Sequence, residues 1–166
     1  MLSLLKTLFE DLDAWIATEN VRRHGNGDFA FRKCEIKLLG QMSLLANEKV
    51  NAILKLVGTV DLDAHLEQMD HLIKMKMIEL LNKNKLVYDE DSEKIWIPRG
   101  SQFQALHKLD NLLVSIIDPE SALVSKAIKA KYKNKQLIQD AIASENFQNL
   151  IDRIEANGGD LNFFLE

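Results

Sequence analysis

Cys34-Glu35-Ile36-Lys37-Leu38-Leu39 is an alternating stretch that ends at Gly40, and it decides the fold that the sequence predicts. Alternation of apolar and charged side chains with a period of two is typical of a β-strand. Gly40 stops this strand, and a short helix is predicted from Gln41 to about Lys49. A strand that leads through a glycine into a helix offers free backbone N–H groups to a phosphate.

Outward from this strand, the hydrophobic pattern predicts further strands and helices. Helical periodicity covers about residues 2–20, 69–84, 119–133, 135–143 and 145–157. A second strand is predicted over 57–66, and two hairpins are predicted to pair 86–88 with 95–97 and 103–109 with 112–117. Because the strands cluster between helices, we predict an α+β fold with a mixed central sheet of about five to six strands.

Composition and length limit the class of protein. The 166 residues carry 21 Lys and Arg against 25 Asp and Glu, a net charge of −4. We expect one domain over 1–166, with a core of about residues 35–142. No apolar run approaches the ~20 residues of a membrane span, and the single Cys34 excludes an internal disulfide framework. We therefore expect a cytoplasmic protein with no membrane partner.

Asp61-Leu62-Asp63-Ala64-His65 is the strongest candidate for chemistry. On a strand, the two aspartates and the histidine would face one side, while Leu62 and Ala64 would face the core. Adjacent carboxylates repel each other at neutral pH, and a divalent cation between them would relieve that repulsion. Oxygen ligands favour Mg²⁺ or Mn²⁺. The alternative is a strand end with two solvated acids.

A known family shares this order of motifs. Gly40 with Ser43, followed by Thr59-Val60-Asp61-Leu62-Asp63, resembles the first motif of the nucleotidyltransferase fold of the DNA polymerase β type. Downstream, Asp118-Pro119-Glu120 with Lys126 and a later Asp140 is similar to a second block. That block occurs in abortive-infection-type nucleotidyltransferase toxins and their uncharacterised relatives.

The resemblance implies an activity and a role for each motif residue. Asp61 and Asp63 would hold Mg²⁺ or Mn²⁺ against the triphosphate of a nucleoside triphosphate. Gly40 and Ser43 would cradle the β- and γ-phosphates, and Lys126 would add a positive charge. An acceptor hydroxyl would attack the α-phosphorus, and pyrophosphate would leave. The resemblance also implies a toxin–antitoxin system, in which a cognate antitoxin is a partner.

Departures from the family pattern keep a second function open. Gly40 is followed by Gln41 where the family has a glycine pair. The third carboxylate of active members is missing from 95–97, and Asp110 lies in a predicted turn. The alternative is a catalytically degraded member of the fold that serves as a protein- or RNA-binding module. A further alternative is a generic α+β interaction domain in which the two aspartates are incidental.

A run of five lysines follows the second block: Lys126, Lys129, Lys131, Lys133 and Lys135. At helical spacing, Lys126, Lys129 and Lys133 would share one face. A basic face of this kind suits a phosphate-bearing partner such as tRNA, or a protein acceptor. The alternative is a solvated helix face whose lysines confer solubility.

Overall fold

Six strands are present in the computed structural model, which describes residues 1–166. They are β1 Cys34–Leu38, β2 Asp61–Leu62, β3 Ala64–Glu67, β4 Val87–Tyr88, β5 Phe103–Lys108 and β6 Leu112–Ile117. Four of them form a mixed sheet in the order β3-β1-β6-β5, in which only β1 and β6 are parallel. β2 and β4 form a separate parallel pair.

Eight α-helices surround the sheet, and a 3₁₀ helix spans Glu90–Lys94. They are α1 Leu2–Gly25, α2 Gly40–Leu45, α3 Glu48–Ile53, α4 His71–Lys83, α5 Pro119–Lys129, α6 Lys135–Ala143, α7 Leu150–Ala156 and α8 Leu161–Leu165. The predicted α+β class with helices flanking a mixed sheet is therefore confirmed. None of these helices combines the length and the apolar character that a bilayer crossing requires.

Two apolar cores hold the helices in place. One core packs α1 and α4 against the sheet through side chains such as Phe9, Ile36 and Met77, all fully buried. The other core joins the α2–α3 region to α5 and the C-terminal helices through side chains such as Leu39 and Leu123. The two cores lie on either side of the strand end from which α2 begins.

The start of α5 is confirmed in detail. The Asp118 carboxylate accepts a hydrogen bond of 2.9 Å from the backbone N–H of Ser121, and Pro119 occupies the first helical position. The hairpin of β5 and β6 is also confirmed, with one register shift between Ala105 and His107. These local signals act within a few residues of the structure that they specify.

The predicted sheet of five to six strands is wrong, because the central sheet has four strands. The hairpin of 86–88 with 95–97 does not form. The Asp89 carboxylate instead accepts from the N–H of Asp91 and starts the 3₁₀ helix. β4 pairs with β2, and residues 95–97 contribute apolar side chains to the second core.

Four of the predicted helices also differ in their bounds. The helix expected from Gln41 to Lys49 is two helices, since Asn47 accepts from the N–H of Lys49 and caps α3. α5 ends at Lys129 rather than near residue 133, and α7 begins only at Leu150. α1 extends past residue 20 to Gly25.

Candidate functional site

Asp63 occupies the residue at which the chain passes from one sheet to the other. The predicted strand 57–66 is interrupted there: β2 ends at Leu62 and β3 begins at Ala64. Leu62 and Ala64 are fully buried, as their alternation predicts. The carbonyl of Asp63 accepts a hydrogen bond of 2.9 Å from the N–H of Leu39, which continues the pairing of β3 with β1. This pairing brings Asp63 beside the first residue of α2.

Gly40 is required at that first residue for two reasons. Its φ is +56°, in the left-handed region that side chains disfavour. A Cβ at this position would also collide with the Asp63 carboxylate. The strand, the glycine turn and the Asp63 carboxylate therefore form one closely packed unit.

Asp89 completes an acidic group that the sequence did not reveal. It follows β4 directly, and its N–H donates to the Leu62 carbonyl at 3.1 Å, so it lies next to the end of β2. Burial raises the pKa of Asp63 to about 6, helped by a hydrogen bond to Asp89 and by the charges of Asp89 and Asp61. The positive charge of Lys126 partly opposes that rise.

The acids do not form a ready-made cage for a metal ion. No group of three or more His, Cys, Asp or Glu side chains has an arrangement that could hold one. Asp61 is exposed on β2, whereas Asp63 is half-buried. The acidic group therefore consists of two neighbouring carboxyl groups, Asp63 and Asp89, with Asp61 on the solvent side.

Lys126 connects the acidic group to a cavity of about 390 Å³. Burial lowers the pKa of this lysine, and the nearby Asp63 carboxylate partly restores it. Lys55 and Lys133 line the same cavity, together with the polar side chains of Gln41, Thr59, Asn134, Gln136 and Asp140. None of the three lysines forms an ion pair within 4 Å. The cavity therefore carries three lysines against one lining carboxylate, Asp140, and this net positive charge suits an anionic ligand.

A larger cavity of about 630 Å³ has less chemistry to offer. It lies between α3, β5 and the start of α5, and its acids include Asp118 and Glu120. Arg153 pairs with both, at 3.1 and 3.7 Å. These groups tie α7 to α5, so we assign them to the architecture.

The structure brings together three of the five predicted site residues: Gly40, Asp63 and Lys126. Asp61 lies on the exposed side of this group. Ser43 is in the same turn but only 2% exposed, and its hydroxyl donates to the Gly40 carbonyl at 2.8 Å. Ser43 therefore stabilises the turn in this structure and does not present its hydroxyl to the cavity.

The other predicted candidates lie apart from the acidic group or are differently engaged. Asp110 is in the turn between β5 and β6, at the opposite end of β1 from Gly40, because the neighbouring Asn111 carbonyl accepts from the N–H of Cys34. His65 is placed opposite Lys37 on β1, and its Nε2 is buried with no hydrogen-bond partner.

The helical alignment predicted for Lys126, Lys129 and Lys133 does not form. α5 ends at Lys129, so the helical spacing that would align Lys133 with Lys126 and Lys129 is lost. Lys129 lies over the Trp96 ring at 5.1 Å, and Lys131 pairs with Asp160 at 3.0 Å. Only Lys126 and Lys133 of the five lysines line the cavity.

Asp89 and Lys55 are the site residues that sequence reasoning missed or left without a role. Asp89 directly follows the short strand 87–88, at a strand end where site residues are common, but the sequence pattern predicted that this strand pairs with 95–97. Only the parallel pairing of β4 with β2 brings Asp89 to Asp63. Comparison of the chain with protein-family models, curated proteins and solved structures gives no match.

Proposed function

We propose that this protein is a nucleotidyltransferase, which transfers a nucleotide from a nucleoside triphosphate to an acceptor hydroxyl. The observation that carries the proposal is the packing of the Asp63 carboxylate on Gly40, beside Lys126 and its lysine-lined cavity. A triphosphate needs close backbone approach, cations for its charge, and carboxylates that hold a metal ion. Cations and carboxylates lie together here, next to the glycine turn.

The donor set suits Mg²⁺, or Mn²⁺ in its place. Mg²⁺ in such enzymes is bound by one or two carboxylates plus substrate phosphates, so a cage of protein ligands is not needed. Asp61 and Asp63 would be those ligands. Burial is the main cause of the raised pKa of Asp63, and the charges of Asp89 and Asp61 add to it; a bound cation would relieve that repulsion between carboxylates. When bound, the ion would neutralise charge on the triphosphate as the α-phosphorus is attacked.

The remaining side chains would bind and orient the substrate. Lys126, Lys133 and Lys55 would hold the phosphates, since they line the cavity and none of them forms an ion pair within 4 Å. Gly40 would let the backbone pack closely against the metal ligand Asp63, and the buried Ser43 hydroxyl would keep the turn in shape. Asp89 would position Asp63 and share its proton when no cation is present.

The acceptor would carry a free hydroxyl, at an RNA end such as that of tRNA or on a protein. In a toxin–antitoxin pair, a cognate antitoxin would control access to the site. The lysine-lined cavity supports a phosphate-bearing acceptor as readily as a triphosphate, since both are polyanions.

The test is a transfer assay with α-labelled nucleoside triphosphates, Mg²⁺, bulk RNA and bulk protein. We expect label in one acceptor fraction, with loss of at least about 100-fold in rate for Asp61→Asn and Asp63→Asn. Asp91→Asn, an exposed acid of the 3₁₀ helix, is the matched control and should retain activity. If the protein binds the triphosphate but no label appears in the RNA fraction or in the protein fraction, the result would contradict the proposed enzyme and favour the binding module.

A further inference from the structure

Residues 21–33, which we call the arginine segment, concentrate positive charge in an otherwise acidic protein. The segment carries Arg22, Arg23, Arg32 and Lys33 against the single acid Asp28, a net charge of +3, while the rest of the chain sums to −7. Three of the five arginines of the protein are here. Eleven of the thirteen residues are exposed. Such segregation of charge on an exposed segment is typical of a surface that meets a polyanion.

The segment is held in a fixed shape by its own hydrogen bonds. The Nε of Arg23 donates to the Phe29 carbonyl at 2.6 Å, and the N–H of Asp28 donates to the Arg23 carbonyl at 2.8 Å. The N–H of Phe31 donates to the side chain of Asn20 on α1 at 2.8 Å. A partner would therefore meet a preformed surface and lose less entropy on ordering it.

Cations on this surface are free to bind. Arg32 and Lys33 form no ion pair and no side-chain hydrogen bond, whereas Arg22 is paired with Glu19 at 2.8 Å. The Arg23 guanidinium lies 4.3 Å from the centre of the Phe31 ring, which orients it, and only its Nε is used within the protein. Its two terminal nitrogens remain available for phosphate oxygens.

An exposed aromatic ring lies in the same segment as these cations. Phe29 is 91% exposed, and the protein contains no ring stacked on it. The next residue, Ala30, lines a cavity of about 510 Å³ together with Arg23 and Arg32, the apolar Phe31, Leu66 and Met69, and the polar Gln68 and Asp70. Rings and apolar walls next to cations suit unpaired bases on a phosphate backbone.

We propose that the arginine segment binds single-stranded nucleic acid, with Arg23, Arg32 and Lys33 on the phosphates and Phe29 stacked on a base. An acidic peptide would use the cations but would gain little from the exposed ring. The proposal does not rest on nucleotide transfer. The arginine segment leads into the first residue of β1, whereas Gly40 follows the last residue of that strand, so the two sites lie at opposite ends of β1.

The experiment measures binding of a labelled, unstructured RNA of about 15 nucleotides by fluorescence anisotropy, with a DNA of the same length in parallel. With about three phosphate contacts, affinity should fall about 20-fold between about 50 and about 200 mM salt. The double variant Arg32→Gln/Lys33→Gln should reduce the slope of log affinity against log salt by about 1.4. Phe29→Ala should weaken binding about five- to tenfold with the slope unchanged.

The matched control is Lys83→Gln/Lys94→Gln, which removes two exposed charges elsewhere and should bind as the wild type does. Asp63→Asn should also bind RNA normally, so failure of the proposed enzyme activity leaves this result intact. Absence of binding at low salt, or an equal loss in the lysine control, would overturn the proposal. The proposal would also be overturned if Phe29→Ala bound RNA as tightly as the wild type and polyglutamate displaced that RNA. This pair of results would indicate a site for acidic peptides.

Discussion

The carboxylate of Asp63 occupies the space that the Cβ of any other residue would need at Gly40. Gly40 begins α2 with a φ of +56°, and Asp63 stands where the chain crosses from β2 to β3. One contact therefore joins the glycine turn to the acidic group. The predictions below test that contact, its electrostatics and its link to the cavity.

Substitution of Gly40 should cost more stability than substitution of another glycine with positive φ. Gly27 has a φ of +78° and open space around it, so Gly27→Ala should cost only about 1 kcal/mol of backbone strain. Gly40→Ala adds the collision with Asp63, for a total of about 2–4 kcal/mol. Urea unfolding of the two variants measures the difference.

A double variant isolates the collision. Asp63→Ala in the Gly40→Ala background should recover about 1–2 kcal/mol of the loss, because it removes the atoms that clash. In the Gly27→Ala background, Asp63→Ala should change the free energy of unfolding by the same amount as it does in the wild type. Equal costs for the two glycine variants would contradict the close contact.

Stability should depend on pH through Asp63. The folded state favours the protonated form of this group, whose pKa of about 6 exceeds the ordinary value of 3.8. Its contribution is therefore complete below about pH 4 and is lost as the pH rises through about 6. Allowing for solvent screening, the loss should be about 1–2 kcal/mol. Asp63→Asn should remove this part of the pH profile and raise stability at pH 7, as measured by urea unfolding across the pH range.

Two neighbours should move the pKa of Asp63 in opposite directions. Asp89→Asn removes a negative charge and leaves an amide that can donate to the ionised carboxylate, so the pKa should fall. Lys126→Gln removes the opposing positive charge, so the pKa should rise. Carboxyl carbon chemical shifts followed over pH report both. An unchanged pKa in both variants would show that burial alone sets the value.

Lys126 and Lys129 are one turn apart on α5 and should differ in function. Lys126 lines the cavity beside Asp63, whereas Lys129 lies over the Trp96 ring. Lys126→Gln should weaken binding of a nucleoside triphosphate about tenfold, the value of one charged hydrogen bond. Lys129→Gln should leave it within about twofold, as measured by calorimetric titration. If the two variants weakened triphosphate binding equally, the phosphates would not bind in the cavity.

Local signals in the sequence were sufficient for the elements that depend on neighbouring residues. Asp118 and Pro119 specify the start of α5, and the turn at residues 110–111 specifies the hairpin of β5 and β6. The burial of Leu62 and Ala64 also follows from alternation. These features need no knowledge of distant partners.

Features that depend on distant pairing were missed. Alternation continues through Asp63, so nothing in the sequence marks the change of sheet at that residue. The short strand β4 pairs with β2, whose partner residues are 26 positions away, and this pairing alone brings Asp89 into the acidic group. The predicted lysine face was also wrong, because helical spacing was extended beyond the end of α5.

The central claim is that Asp61 and Asp63 join a metal ion to a triphosphate beside Gly40. Its most direct test is the melting temperature with Mg²⁺ alone, with nucleoside triphosphate alone and with both together. We expect a rise of about 4 °C or more only when both are present, corresponding to ligand at many times its dissociation constant. Asp61→Asn and Asp63→Asn should abolish that rise while remaining folded. A rise that persists in both variants, or its absence from the wild type, would contradict the account.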